Sequence, residues 1–279
     1  METTSFFIEK CTVFSVLVDK NAIFVPEKSL IMRFFITLSY NGANYVGWQI
    51  QPNGLTVQEV LQNALSKIFR TEIKIIGAGR TDTGVHARKM IAHFDWHGKP
   101  FSENRLKKNL NSLLPKDIAI QQIREVKPDA HARFSATSRT YKYYITTEKD
   151  SFLYSFKLRL YHALDVDAMN ALCPILKEYE DFTSFSKLHS AAVTNICRIE
   201  EAYWEKIGND YVFTITADRF LRNMVRAIVG TLIEAGRGQL DVQGFRDVIE
   251  GRNRHLAGNS APGHALFLEN VEYPEGVWL

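Results

Sequence analysis

A chain of 279 residues, 46% apolar and with a formal net charge of only +3, is long enough for one large or two ordinary globular domains and is not a disordered polymer. Its near balance of acid and base permits nucleic-acid binding without announcing it, so any basic surface must be assembled by folding. Cys11, Cys173 and Cys197 lack the CxxC spacing of metal and redox sites and fit a reducing compartment, and no apolar run nears the ~20 residues needed to span a bilayer.

Residues 1–31 are set off from the rest. Glu9 and Lys10 interrupt the apolar content of METTSFFIEKCTVFSVLVDK, and no small-residue cleavage site follows, so a signal peptide is not expected and the cytoplasm is. The segment is either a genuine N-terminal extension or sequence upstream of a true start at Met32. The first firm pattern is MRFFITLSY from Met32, where Phe34, Ile36, Leu38 and Tyr40 alternate with their neighbours as in a strand. Thr56-Val57-Gln58-Glu59 has the form of a capping box, and Val57, Leu61, Ala64, Leu65 and Ile68 continue it as a helix to about Phe69.

A strand near 72–76, a glycine-rich loop and a strand at 90–96 come next. A helix from Ser102 then stops before Pro115 and gives way to a strand near 117–126. This β-α-β-β-α-β order is the ferredoxin-like arrangement. The second half repeats it: a strand at 139–147, a helix at 165–179, a hairpin of 194–207 and 211–216 around Gly208-Asn209-Asp210, helices at 219–235 and 241–250, and a strand at 265–271. The expected architecture is α+β, with two ferredoxin-like α/β units, 32–130 and 131–279, whose antiparallel-rich mixed sheets flank a central cleft.

The loop GAGRTDTGVHA, Gly77 to Ala87, admits three readings. Its glycines do not form G-x-G-x-x-G, and a strand follows where a phosphate-binding helix would be needed. A tight turn explains the glycines but leaves Arg80, Asp82 and His86 without a purpose. A reactive carboxylate at Asp82 would need a cation beside it to stay ionised. FLRNMVRAIVG supplies the candidates: Arg222 reads as part of a solvated helix face, whereas Arg226, set among apolar residues, is suited to a partly buried ion pair.

A third constellation, HARFSATSRTYKYY, interleaves Arg133 and Arg139 with aromatics, and alternation puts Tyr141 and Tyr143 on one face of its strand. Aromatic rings beside arginines suit unpaired bases and phosphates. His93 and His97 have helical ligand spacing but fall in a strand, so no metal site is expected, and no cofactor fingerprint is present.

Taken together, YNGANYVGWQIQ, TVQEVLQNAL, GAGRTDTGVHA, LNSLLPKDIAI, HARFSATSRTYKYYI, DFTSF, FLRNMVRAIVG and APGHALFL resemble the TruA family of tRNA pseudouridine synthases, in order, from about Met32 to Tyr273. The resemblance implies conversion of uridine to pseudouridine at positions 38, 39 and 40 of the tRNA anticodon stem-loop, by a homodimer that needs no cofactor. It implies that Asp82 is the catalytic aspartate, that Tyr141 stacks on the target base, that Arg226 pairs with the aspartate and that Arg80 helps hold the flipped uridine. It leaves Arg133, Arg139 and Arg222 as further RNA contacts. Thr83, Thr140, Arg222-Asn223 and Gly263 depart from residues common in the family, and none of them removes a catalytic group. The competing expectation is a catalytically silent tRNA-binding or tRNA-folding module of the same fold.

Overall fold

The computed structural model describes residues 31–187 and 194–279. The extension read at 1–31 therefore lies, apart from Ile31, outside the described residues. Nine strands form a single mixed sheet among the described residues. In the first half these are β1 (Met32–Tyr40), β2 (Ile75–Gly77), β3 (His86–Trp96) and β4 (Ile118–Val126), with helices α1 (Val57–Phe69) and α2 (Glu103–Leu113). In the second half they are β5 (Ser138–Thr146), β6 (Leu158–Arg159), β7 (Ile199–Ile207), β8 (Asp210–Ala217) and β9 (Leu266–Glu272), with α3 (Val166–Leu172), α4 (Met224–Gly236) and α5 (Val242–Glu250).

The strands lie in the order β4-β1-β3-β9-β5-β8-β7, with β2 on β3 and the short β6 on β5. In the first half the fourth, first, third and second strands are thus neighbours. The second half repeats that arrangement as β9-β5-β8-β7. Within each half the main pairings are antiparallel. The halves join where β3 and β9 run parallel, over the pairs His86↔Phe267 and Ala87↔Leu268.

Local chemistry sets the helix ends. The Thr56 side chain accepts from the Glu59 amide at 3.3 Å and Ser102 from the Arg105 amide at 3.4 Å, which satisfies amides that lack an intrahelical partner. Val57, Leu61 and Leu65 of α1 and Leu106 and Leu110 of α2 are buried in the core, α2 packing against β4 and α1 against β2. Burying each such side chain is worth about 1.5–3 kcal/mol.

Several boundaries differ from the sequence expectation, among them the start of β7, at Ile199 instead of 194. β2 is confined to three residues, Ile75–Gly77, and β3 starts already at His86, directly after the glycine-rich loop. The helix expected over 165–179 is α-helical only to Leu172 and continues as a 3-10 helix over Cys173–Glu178, because Pro174 has no N–H to give to residue 170. The helix expected from Arg219 begins at Met224, since Asn223 is left-handed (φ 68°) and its side-chain amide donates to Ser260 Oγ at 2.6 Å. Arg222 accordingly lies on the turn before α4 and not one turn below Arg226 on a helix.

Candidate active site

The glycine-rich loop rests on the segment that follows β1. The Trp48 amide donates to the Thr81 carbonyl and the Gly84 amide to the Tyr45 carbonyl, each at 3.3 Å, while the Tyr40 hydroxyl meets Thr81 Oγ1 at 2.8 Å. At its start the Ala78 amide donates to Ile91 O at 2.7 Å, and at its end the Val85 amide donates to Asp82 O at 3.1 Å, closing a turn around Thr83 and Gly84. Of the loop glycines only Gly84 takes a positive φ, 75°, which a side chain would resist. Gly77 is pressed against the Trp48 indole, and a side chain there would collide with it. Nothing within the folded chain requires glycine at 79, where a Cβ would meet no atom within 4 Å.

The turn holds Asp82 facing the second half. Arg226, in the first turn of α4, donates from Nη1 to Asp82 Oδ2 at 3.1 Å, and both side chains are 23% exposed. The arginine is itself fixed: its Nε donates to Ala261 O at 2.7 Å and its carbonyl accepts from the Ala261 amide at 2.9 Å. Arg222, half-exposed, stands 3.9 Å from Asp82 Oδ1. The arginine that the sequence assigns to a solvated face thus shares the carboxylate with the one assigned to the ion pair. Asp82 Oδ1 accepts no hydrogen bond among the described residues, so one carboxylate oxygen is anchored and the other is open to a reaction partner.

Tyr141, on β5, closes the site from the side. Its ring is 9% exposed and meets the edge of Phe220 at a centroid distance of 5.1 Å. Burial first, and the neighbouring Asp82 carboxylate second, push its hydroxyl well above the ordinary tyrosine range. Tyr141 is therefore a neutral phenol near pH 7, able to donate a hydrogen bond and unsuited to act as a base. Tyr143, two residues on and on the same face as alternation predicts, is fully buried and donates to Pro262 O at 2.9 Å.

The other sequence candidates divide by position. Arg80 is exposed and its guanidinium has no polar partner among the described residues. Arg133 is exposed, over the ring of Phe134. Arg139 points inward and donates to the carbonyls of Ala136 (3.0 Å), Asp218 (2.7 Å), Ala78 (3.1 Å) and Arg133. It ties the loop of Asp82, the loop after β4 and the end of β8 together, and in this arrangement its donors are turned to main chain instead of to the solvent that an RNA phosphate would approach from.

His86, left without a chemical role by the sequence, is a buried connector. Its Nδ1 accepts from the Gly42 amide at 3.0 Å, and its Nε2 donates to His264 O at 2.9 Å. Both bonds together require the neutral ring, and burial lowers its pKa from the ordinary histidine value. Ala261, Pro262 and His264 thus receive bonds from Arg226, Tyr143 and His86 in turn. The signal for this hub was in the sequence as the motif APGHALFL, which acts here through main-chain carbonyls that no side-chain pattern marks.

Comparison with known proteins gives the site a context. The sequence model of a family described as tRNA pseudouridine synthase matches residues 36–135 and 179–274, which include Arg80, Asp82, Arg222 and Arg226 and leave out Arg139, Tyr141 and Tyr143. A tRNA pseudouridine synthase A of Parabacteroides distasonis is 59% identical over 246 residues, 88% of this chain and 98% of the relative. The protein of the same name from Bacteroides thetaiotaomicron is 59% identical over 251 residues, covering 89% and 93% of the two chains. That of Porphyromonas gingivalis is 53% identical over 250 residues, 88% and 99%.

Proposed function

Because the chain belongs to the tRNA pseudouridine synthase family, we propose that Asp82 is its catalytic carboxylate, with Arg226 and Tyr141 as its partners. The chain is an isomerase: it converts uridine in tRNA to pseudouridine. The N1–C1′ bond breaks, the uracil turns, C5 bonds to C1′, and the proton lost from C5 is balanced by one gained at N1. No oxidant or reductant enters that balance.

The observation that carries the assignment is the uneven hold on Asp82. Arg226 fixes Oδ2 at 3.1 Å, while Oδ1, 3.9 Å from Arg222, accepts no hydrogen bond among the described residues. Attack at C1′, addition at C6 and removal of the C2′ proton each require such an oxygen. The target base must leave its stack at a cost of a few kcal/mol. Tyr141 offsets this by offering a ring face beside the carboxylate, and Arg80, exposed on the same loop, by contacting the flipped nucleotide.

The targets are uridines 38, 39 and 40 of the anticodon stem-loop. The two halves, 32–130 and 131–279, act as two ferredoxin-like units that hold the RNA between them, a reading supported by the repeated strand order. The protein works in the cytoplasm as a homodimer, which brings two sets of exposed arginines to one tRNA and supplies the basic surface that a charge of +3 does not. Among the described residues no helix is long and apolar enough to cross a membrane. The test is to incubate tRNA transcripts carrying uridine at 38, 39, 40 or 55 with the protein and map pseudouridine in each. Product at 38 to 40 and none at 55 is expected, and product confined to other positions would refute the target assignment.

A further inference from the structure

Resting on that function, we propose that Phe134 is a stacking platform for a nucleobase of the tRNA next to the flipped uridine. Its ring is 76% exposed, yet it is not a loose side chain. One face lies against the His131 imidazole at a centroid distance of 4.4 Å and an angle of 35°. That imidazole is locked in turn, because Nδ1 accepts from the amides of Arg133 (3.1 Å) and Phe134 (3.3 Å). Behind it, His93 meets His131 edge-on at 4.6 Å and accepts from the Ala132 amide at 3.1 Å. The turn is closed by the His131 amide on Ser135 Oγ and the Ser135 amide on His131 O, both 2.9 Å.

The platform is also placed. Nη2 of Arg139 holds the carbonyls of Arg133 and Ala78 at once, so those two oxygens are at most about 6 Å apart. One guanidinium thereby fixes the turn of Phe134 against the loop of Asp82. Arg133 adds a charge within reach of a phosphate, its guanidinium 5.5 Å from the Phe134 ring centre. An exposed ring backed by an imidazole and carrying a guanidinium over it is an arrangement that takes an unpaired base.

Other exposed rings lack this combination: Tyr161, 80% exposed with Arg159 over it at 5.0 Å, has no ring behind it among the described residues. Phe152 and Tyr154 are 86% and 73% exposed, but neither has a ring partner among the described residues. The turn that carries them is held by Asp150 Oδ1 on the amides of Phe152 and Leu153. Phe152 is therefore the control.

Phe134→Ala is expected to keep the wild-type melting temperature and to weaken tRNA affinity by roughly 5- to 100-fold, the range for loss of one stacked base. KM should rise much more than kcat falls. Phe134→Trp should restore affinity, Phe134→Leu should not, and Phe152→Ala should bind tRNA as the wild type does. Wild-type affinity in Phe134→Ala would overturn the platform while leaving the enzyme assignment intact. So would equal losses in Phe134→Ala and Phe152→Ala, or a change in oligomeric state at unchanged tRNA affinity, which would make the ring a subunit contact. Failure of the wild type itself to form pseudouridine would instead remove the function on which the proposal rests.

Discussion

Two of the arginine–aspartate pairs among the described residues are alike in chemistry and differ in how the carboxylate is held. In the first half Arg33 grips Asp95 with two hydrogen bonds, 2.6 Å and 2.8 Å, and adds a third to Ala130 O at 2.9 Å. Each Asp95 oxygen accepts one of them, and the hydrogen bonds from Arg33 hold its pKa below the ordinary carboxylate value. At the junction of the halves Arg226 gives Asp82 one bond at 3.1 Å, while Arg222 stays at 3.9 Å. A carboxylate that only supports the fold can accept every donor offered to it. The one proposed to react is held by one oxygen, and its other oxygen accepts no hydrogen bond among the described residues.

That contrast is broken most sharply at Asp82. Asp82→Asn keeps size and the open side but removes the charge, so fold and tRNA binding should survive while pseudouridine formation falls to background in a tritium-release assay. Wild-type turnover would end the catalytic assignment. Arg226→Ala should cost roughly 10²-fold in kcat/KM, the scale of losing the positioning of a reacting group. An unchanged kcat/KM would mean that the ion pair does not position Asp82.

Beside the structural pair, His93 gives a smaller, pH-dependent effect. Burial, then Arg33 and His131, lower its pKa from 6.5 to about 4, and its Nδ1 must stay unprotonated to accept from Ala132. The folded state therefore binds fewer protons than the unfolded chain between those values. The stability present above about 6.5 is lost as the pH falls toward about 4, on the order of 2 kcal/mol. Urea titrations at pH 7 and 4.5 should show this, and His93→Asn, whose carbonyl can still accept from Ala132, should flatten the difference. Asp95→Asn should have the smallest effect, about 1 kcal/mol of stability after discounting for solvent, with turnover unchanged. A large loss of turnover there would erase the distinction between the two pairs.

What the sequence reveals depends on how local each cause is. Thr56 and Ser102 cap helices where expected because a cap involves only a few successive residues. Tyr141 and Tyr143 share a face because alternation is a property of the strand alone. Pro174 was equally local, and its limit on the helix over 165–179 could have been read from its missing N–H. Arg222 is a different case, because its position depends on Asn223 turning left-handed against Ser260, 37 residues away. Arg139 is harder still. A basic residue beside aromatics reads as an RNA contact, and only the folded chain shows its donors gathered by carbonyls at 78, 133, 136 and 218.

The seam of the sheet has a consequence in time. β9, the last strand in the sequence, sits at the centre, between β3 and β5. Arg226 follows Asp82 by 144 residues, roughly 7–30 s of synthesis, and the strand that clamps their two halves emerges from the ribosome later still. Asp82 and its loop are thus made well before the arginine that pairs with the carboxylate and before the strand that joins the halves, and a translation product broken off before residue 266 would lack that seam.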